Sequence, residues 1–144
     1  MAASVFRYDY RVTYADCTVG NHVYYGRYLE FLEFARGAFF RHVGSPLLLL
    51  QEQDAVFPVL ECRLRYKAPA RYDDQLSVAL WVSSLEGVRL NFAYSITRQD
   101  GLLILEGETW HACTTVAGKP RKLPEALGAK LREWMPAEFA AGKP

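Results

Sequence analysis

The sequence predicts an α+β domain in which one long helix lies against an antiparallel sheet of five strands, with a short helix at the C-terminal end. Three observations predict it. Five segments carry strand periodicity, one long segment carries helical spacing, and the last strands are joined by short turn signals. Phe6, Tyr8, Tyr10, Val12 and Tyr14 alternate with Arg7, Asp9, Arg11 and Thr13, the period of two of a half-buried strand. From Gly26 to Val43 the spacing turns helical, with Tyr28, Phe31, Leu32, Ala35 and Phe39 on one face. Leu29, Phe34 and Phe40 widen that face, leaving Arg27, Glu30, Glu33, Arg36 and Arg41 on the remaining arc. A helix so widely apolar needs cover on most sides, which a sheet curled round it supplies.

Gly44-Ser45-Pro46 ends the helix by removing helical preference and a backbone donor. Leu47 to Asp54 fits a short helix or a loop. Four strand-like runs follow: Leu60 to Lys67, Leu76 to Val82, Val88 to Thr97, and a long run from Leu102 to Val116 with Gly107 expected at a bulge. Glu86-Gly87 and Asp100-Gly101 join the last three as an antiparallel meander. From Leu123 to Met135 the spacing is helical again, Leu127, Leu131 and Trp134 making one stripe. Residues 1–136 therefore read as a single domain, and 137–144 as a frayed tail. The sheet keeps exposed edges, and pairing between subunits is the obvious way to cover them.

A formal net charge of +1 over 144 residues gives no basis for bulk binding to nucleic acid or to an anionic membrane. The three cysteines, Cys17, Cys62 and Cys113, are far apart with no CxxC pair, which suits a reducing cytoplasm better than a disulfide framework or a metal site. They are expected as small core residues. No apolar stretch is long enough to span a bilayer or to act as a signal peptide.

Chemistry concentrates between the first strand and the long helix, in the stretch from Tyr14 to Tyr28. It sets Asp16, Thr18, a Gly20-Asn21 turn and His22 directly before a helix start. A helix start carries free N–H groups and a partial positive charge, which can polarise a carbonyl while a neighbouring side chain activates a nucleophile.

Those residues, followed by Glu33-Phe34-Ala35-Arg36, resemble the hotdog-fold acyl-CoA thioesterases, above all the 4-hydroxybenzoyl-CoA thioesterase-like group. Three further segments fit the same group: Tyr66 to Asp74, Arg98 to Leu103, and Glu106-Gly107-Glu108-Thr109 continuing to Gly118–Pro124. The resemblance runs from about Phe6 to Pro124. It implies hydrolysis of a thioester of coenzyme A or acyl carrier protein, without metal or organic cofactor. It also implies a homodimer or a tetramer built from two dimers, with sites lying between subunits. The group's loop reads Asp-x-Asp-x-x-Gly-x-Val, its second Asp serving as nucleophile or general base. That second Asp falls on Thr18, the first on Asp16, and the Gly on Asn21.

Each candidate has two readings. Asp16 is either the base for an attacking water or an Asx-type cap that orders the loop. Thr18 either positions water, or attacks if His22 activates it, or merely steadies a turn. His22 is a general base or a structural hydrogen-bonding residue. Asn21 either orients the carbonyl or tolerates left-handed backbone. The N–H groups of Val23, Tyr24 and Tyr25 are the expected carbonyl-polarising donors, Tyr25 by analogy with the family. Glu33 is a catalytic carboxylate on the helix, or it is ion-paired, with Arg36 three residues on, or faces another subunit. Lys67, Arg71, Lys119, Arg121 and Lys122 either meet at the site mouth to hold coenzyme A phosphates or form solvated surface. The rival to hydrolysis is a non-hydrolytic hotdog protein that binds an acyl-CoA or acyl carrier protein, or merely assembles.

Overall fold

A computed structural model describes residues 4–136; the tail expected to fray lies outside them. The main sheet has five antiparallel strands in the spatial order β1 (Phe6–Arg11), β5 (Gln75–Glu86), β6 (Arg89–Arg98), β7 (Leu103–Ala112) and β4 (Val59–Tyr66). The alternation seen in the sequence is the alternation of its two faces. Leu76, Val78, Leu80 and Val82 of β5, with Leu90, Phe92, Tyr94 and Ile96 of β6, are all buried against helix α1 (Arg27–His42). Phe31, Leu32, Ala35 and Phe39 of α1 are fully covered, and the ring of Tyr10 lies 4.5 Å from that of Phe31.

Leu47–Glu52 is helical, α2, which settles the stretch that fitted helix or loop. Helix α3 (Glu125–Arg132) buries Leu127 and Leu131 on the predicted stripe. Trp134 lies past its end, packs edge-on against Phe39, and its carbonyl accepts the N–H of Val82. A two-stranded ladder of β2 (Cys17–Thr18) and β3 (His22–Val23) stands apart from the main sheet.

Three expectations are corrected. Gly107 is not at a bulge: it pairs in register with Leu64 and Tyr94, and the irregularities fall elsewhere, as between Val82 and Ser84. A Cβ at Gly107 would stand 2.8 Å from a Leu64 methyl and 3.2 Å from the Arg63 carbonyl, so glycine is there because β4 approaches closely. The run Leu60–Lys67 is not half-buried: β4 is an edge strand, and all of it except Leu64 is exposed. Cys62 is therefore exposed and Cys17 only half-buried, while Cys113 alone is a core cysteine.

Candidate active site

The segment before α1 is held by its own polar groups. Thr13 caps a short 3-10 turn, Tyr14–Asp16, and the buried Asp16 carboxylate turns back to it. One Asp16 oxygen accepts the Thr13 N–H at 2.8 Å, the Thr13 hydroxyl at 3.0 Å and the Tyr10 hydroxyl at 2.7 Å. The other accepts Nε of Arg27, the first residue of α1, at 2.8 Å. Burial alone would raise the Asp16 pKa. The hydrogen bonds from Arg27, Thr13 and Tyr10 outweigh it and hold the carboxyl below its ordinary value. A carboxylate so engaged is a weaker base than a free one, and at 2% exposure it is nearly closed to bulk water.

Beyond Asp16 the chain makes the small ladder, whose register sets Thr18 directly opposite His22. Directly paired residues carry their side chains on the same face, with Cβ atoms about 5 Å apart. Both are exposed. Between them Gly20 and Asn21 have φ of 86° and 61°, so Asn21 does occupy left-handed backbone. Its side-chain oxygen also accepts the Tyr72 N–H at 3.1 Å, which ties the turn to the segment before β5.

Of the three expected carbonyl-polarising donors, two are occupied. The Val23 N–H bonds the Ala70 carbonyl and the Tyr24 N–H bonds the Asp16 carbonyl, both at 2.9 Å. Their neighbours in the fold use these groups to anchor the loop, so they cannot face a substrate. The Tyr25 N–H, and with it that of Gly26, has no acceptor among the described residues. A tight turn closed by the Arg27 N–H on the Tyr24 carbonyl at 2.9 Å presents this pair at the helix tip. Sequence reasoning missed three supports of this tip. The Tyr66 hydroxyl donates to the Tyr25 carbonyl at 3.0 Å, the Ala70 N–H donates to the Tyr28 hydroxyl at 3.1 Å, and Gly26 leaves room for the Tyr24 ring. Tyr66 and Ala70 lie in a segment that carries the family resemblance, but spacing alone does not show which hydroxyl crosses forty residues of chain.

Glu33 lies elsewhere. No ion pair joins it to Arg36; Arg36 instead donates to the buried Tyr94 hydroxyl at 3.0 Å. Both line a pocket of about 250 Å³ with Phe40, Phe57, Phe92 and His111. His111 Nδ1 is 3.0 Å from the Phe57 carbonyl, which can only accept, so Nδ1 carries the hydrogen. Nε2 then accepts from Thr109 at 2.8 Å, and Thr109 accepts from Tyr94 at 2.7 Å. Burial pulls His111 down to about 4, the Phe57 carbonyl opposing and the Arg36 charge assisting.

The five basic residues do not meet in one protomer. Lys67 and Arg71 are near the helix tip, Lys67 within 3.9 Å of Glu106. Lys119, Arg121 and Lys122 lie beyond the other end of β7, which pairs with Tyr66 at Leu105 and ends at Ala112. Those seven residues span roughly 23 Å at a strand's rise. Arg121 is moreover spent on the carbonyls of Gln53 and Lys122, both at 2.9 Å.

A helix wrapped by one antiparallel sheet, with unpartnered N–H groups at its tip beside a polar ladder, defines a hotdog-fold thioesterase class. The chain belongs to the thioesterase-like superfamily, whose family model matches residues 12–131. It is 32% identical to the acyl-CoA thioester hydrolase YbgC of Escherichia coli O6:H1, over 92% of this chain and 100% of that protein. The structure of a probable thioesterase from Bartonella henselae superposes with a TM-score of 0.79 at 30% identity, covering 83% of this chain and 99% of that one. A 1,4-dihydroxy-2-naphthoyl-CoA thioesterase from Synechocystis superposes at 0.83, covering 89% and 96%, and at 22% identity the likeness is one of fold.

Proposed function

We propose that this protein hydrolyses acyl-CoA thioesters, the carbonyl oxygen received by the Tyr25 N–H at the tip of α1 and water activated by His22 beside Thr18. The observation that carries this reading is the unpartnered N–H pair next to the Thr18–His22 pairing. The kinship with acyl-CoA thioester hydrolases supports it. Developing negative charge on the thioester oxygen meets fixed donors and the positive end of the helix. His22 takes the proton of a water that Thr18 helps to orient, and the thiolate of coenzyme A leaves. Asp16 serves as the clamp that fixes loop to helix, in place of the base role its position suggests.

Catalysis takes place in a homo-oligomer, dimer or tetramer, in the cytoplasm. Strand β4 is open along its outer edge, with Val59, Leu60 and Tyr66 about half exposed. Antiparallel pairing of two β4 edges sets the far end of one copy beside the tip of the other. Lys119 and Lys122 of a second copy then join Lys67 and Arg71 of the first in holding the phosphates, and Glu33 faces the interface. An acyl carrier protein would engage the same basic surface. Among the described residues no helix is long and apolar enough to cross a membrane.

The test is thiol release from aromatic, short-chain and long-chain acyl-CoAs. His22→Ala is expected to lower kcat at least about 100-fold with an unchanged melting temperature, and added imidazole to restore part of it. Thr18→Ala is expected to lose less, about 10-fold. Thermal stabilisation by acyl-CoA without thiol release would favour the non-hydrolytic rival, for which Thr18 in place of the family's acid is the specific observation.

A further inference from the structure

The central peptide of a tight turn is the one that flips most easily, because rotating it changes only the ψ before it and the φ after it. Residues Tyr24 to Arg27 form such a turn, and its central peptide joins Tyr25 to Gly26. Gly26 has φ of −71° and ψ of −18°. The flipped form would put it at positive φ, which glycine alone accepts without steric cost. A Cβ there would stand 2.9 Å from the exposed Tyr24 ring, which would have to swing aside to admit it. The helix tip therefore carries a peptide that its own sequence leaves free to invert.

Inversion matters because the C=O and N–H of a trans peptide point in opposite directions. With the Tyr25 carbonyl held by the Tyr66 hydroxyl, the N–H groups of Tyr25 and Gly26 both stand without an acceptor among the described residues. Flipped, a carbonyl oxygen takes the place of the Gly26 N–H and repels the thioester oxygen. One side chain holds the carbonyl: the Tyr66 hydroxyl, 3.0 Å from it, reaching from β4. The Tyr66 ring is itself seated edge-on against Tyr28 and Tyr25, at centroid distances of 5.6 and 6.4 Å.

We propose that Tyr66 is a positioning residue, a latch that keeps the Tyr25–Gly26 peptide in the orientation presenting two N–H donors to the thioester oxygen. The latch rests on the hydrolase reading. It adds Gly26 as a second donor and makes the edge strand β4 responsible for the geometry of a tip forty residues away in sequence. Since Tyr66 touches no reacting atom, its removal lowers kcat and leaves KM nearly unchanged.

Tyr66→Phe deletes one oxygen from a half-exposed ring. It is expected to lower kcat about 10- to 100-fold with KM within about twofold and the melting temperature nearly unchanged. In ¹⁵N spectra the Gly26 amide is expected as one sharp resonance in the wild type and as an exchange-broadened or doubled one in Tyr66→Phe. In a Gly26→Ala background the methyl penalises the flipped form, and the exposed Tyr24 ring can swing aside for it. There Tyr66→Phe is expected to cost clearly less than in the parent. A Tyr66→Phe enzyme of unchanged kcat, or the same loss in both backgrounds, would overturn the latch. So would an unchanged Gly26 resonance. The amide signal does not depend on turnover, so a wild type that releases no thiol refutes the hydrolase reading while the latch is still judged.

Discussion

Asp16 shows how the partners of a residue in a promising place bear on what it can do. Its sequence neighbours allowed either a base or a cap. Four donors on two oxygens, in a group buried to 2% exposure, make it the joint between β1, the 3-10 turn and α1. Asp16→Asn replaces an acceptor of four bonds with an amide that must point its NH₂ at one of them, and it leaves Arg27 without its counter-charge. Arg27 is a third exposed, so the cost falls below that of a fully buried broken pair, at about 2–3 kcal/mol. Chemical denaturation measures it. The clamp role requires that kcat per folded molecule fall less than about 10-fold, whereas a base would lose several hundredfold without loss of stability.

Among the elements, those whose faces differ were legible and those whose place in the sheet matters were not. Strands β5 and β6 and helix α1 announce themselves because one side of each meets the core, so apolar periodicity records it directly. Strand β4 has the same alternation and is exposed on both faces, because being at an edge leaves no mark on the period. Gly107 looked like a bulge for the same reason: the closeness of β4 is a property of the neighbour. The polar chain from Arg36 through Tyr94 and Thr109 to His111 was hidden likewise, since its members are spread over α1, β6 and β7. That chain makes the fold sensitive to acid. Unfolded histidine takes up a proton near pH 6.5, but His111 refuses one until about pH 4. Stability is therefore full above about 6.5 and falls as pH drops towards 4, by about 3 kcal/mol in all. Below that window the Asp16 carboxylate, held under its ordinary value, adds a further loss as it protonates. Melting curves between pH 7 and 4.5 test this: His111→Gln should start less stable at pH 7 and decline less.

At the scale of the whole molecule, one protomer offers half of what the proposed reaction needs. Its tip has donors and a histidine, yet Lys119 and Lys122 lie roughly 20 Å away at the other end of β7. The same copy leaves Leu29, Leu60 and Tyr66 between 41% and 55% exposed, on α1 and β4, next to an unpaired strand edge. Such an edge invites a second chain, and the proposed two-fold pairing that covers it would also bring the distant lysines to the partner's tip. Assembly and turnover should then fail together. Leu60→Lys puts a charge near the start of that edge, at the end away from the tip, and the protomer's own core does not use this side chain. Sedimentation should show the wild type as a dimer or larger and Leu60→Lys as a monomer at the same concentration. The monomer should keep its secondary structure and the His22 surroundings, yet show a raised KM for acyl-CoA and a kcat reduced at least about 10-fold. A Leu60→Lys protein that stays assembled, or a monomer with wild-type kinetics, would place the complete site within a single chain and leave Lys119 and Lys122 with no part in phosphate binding.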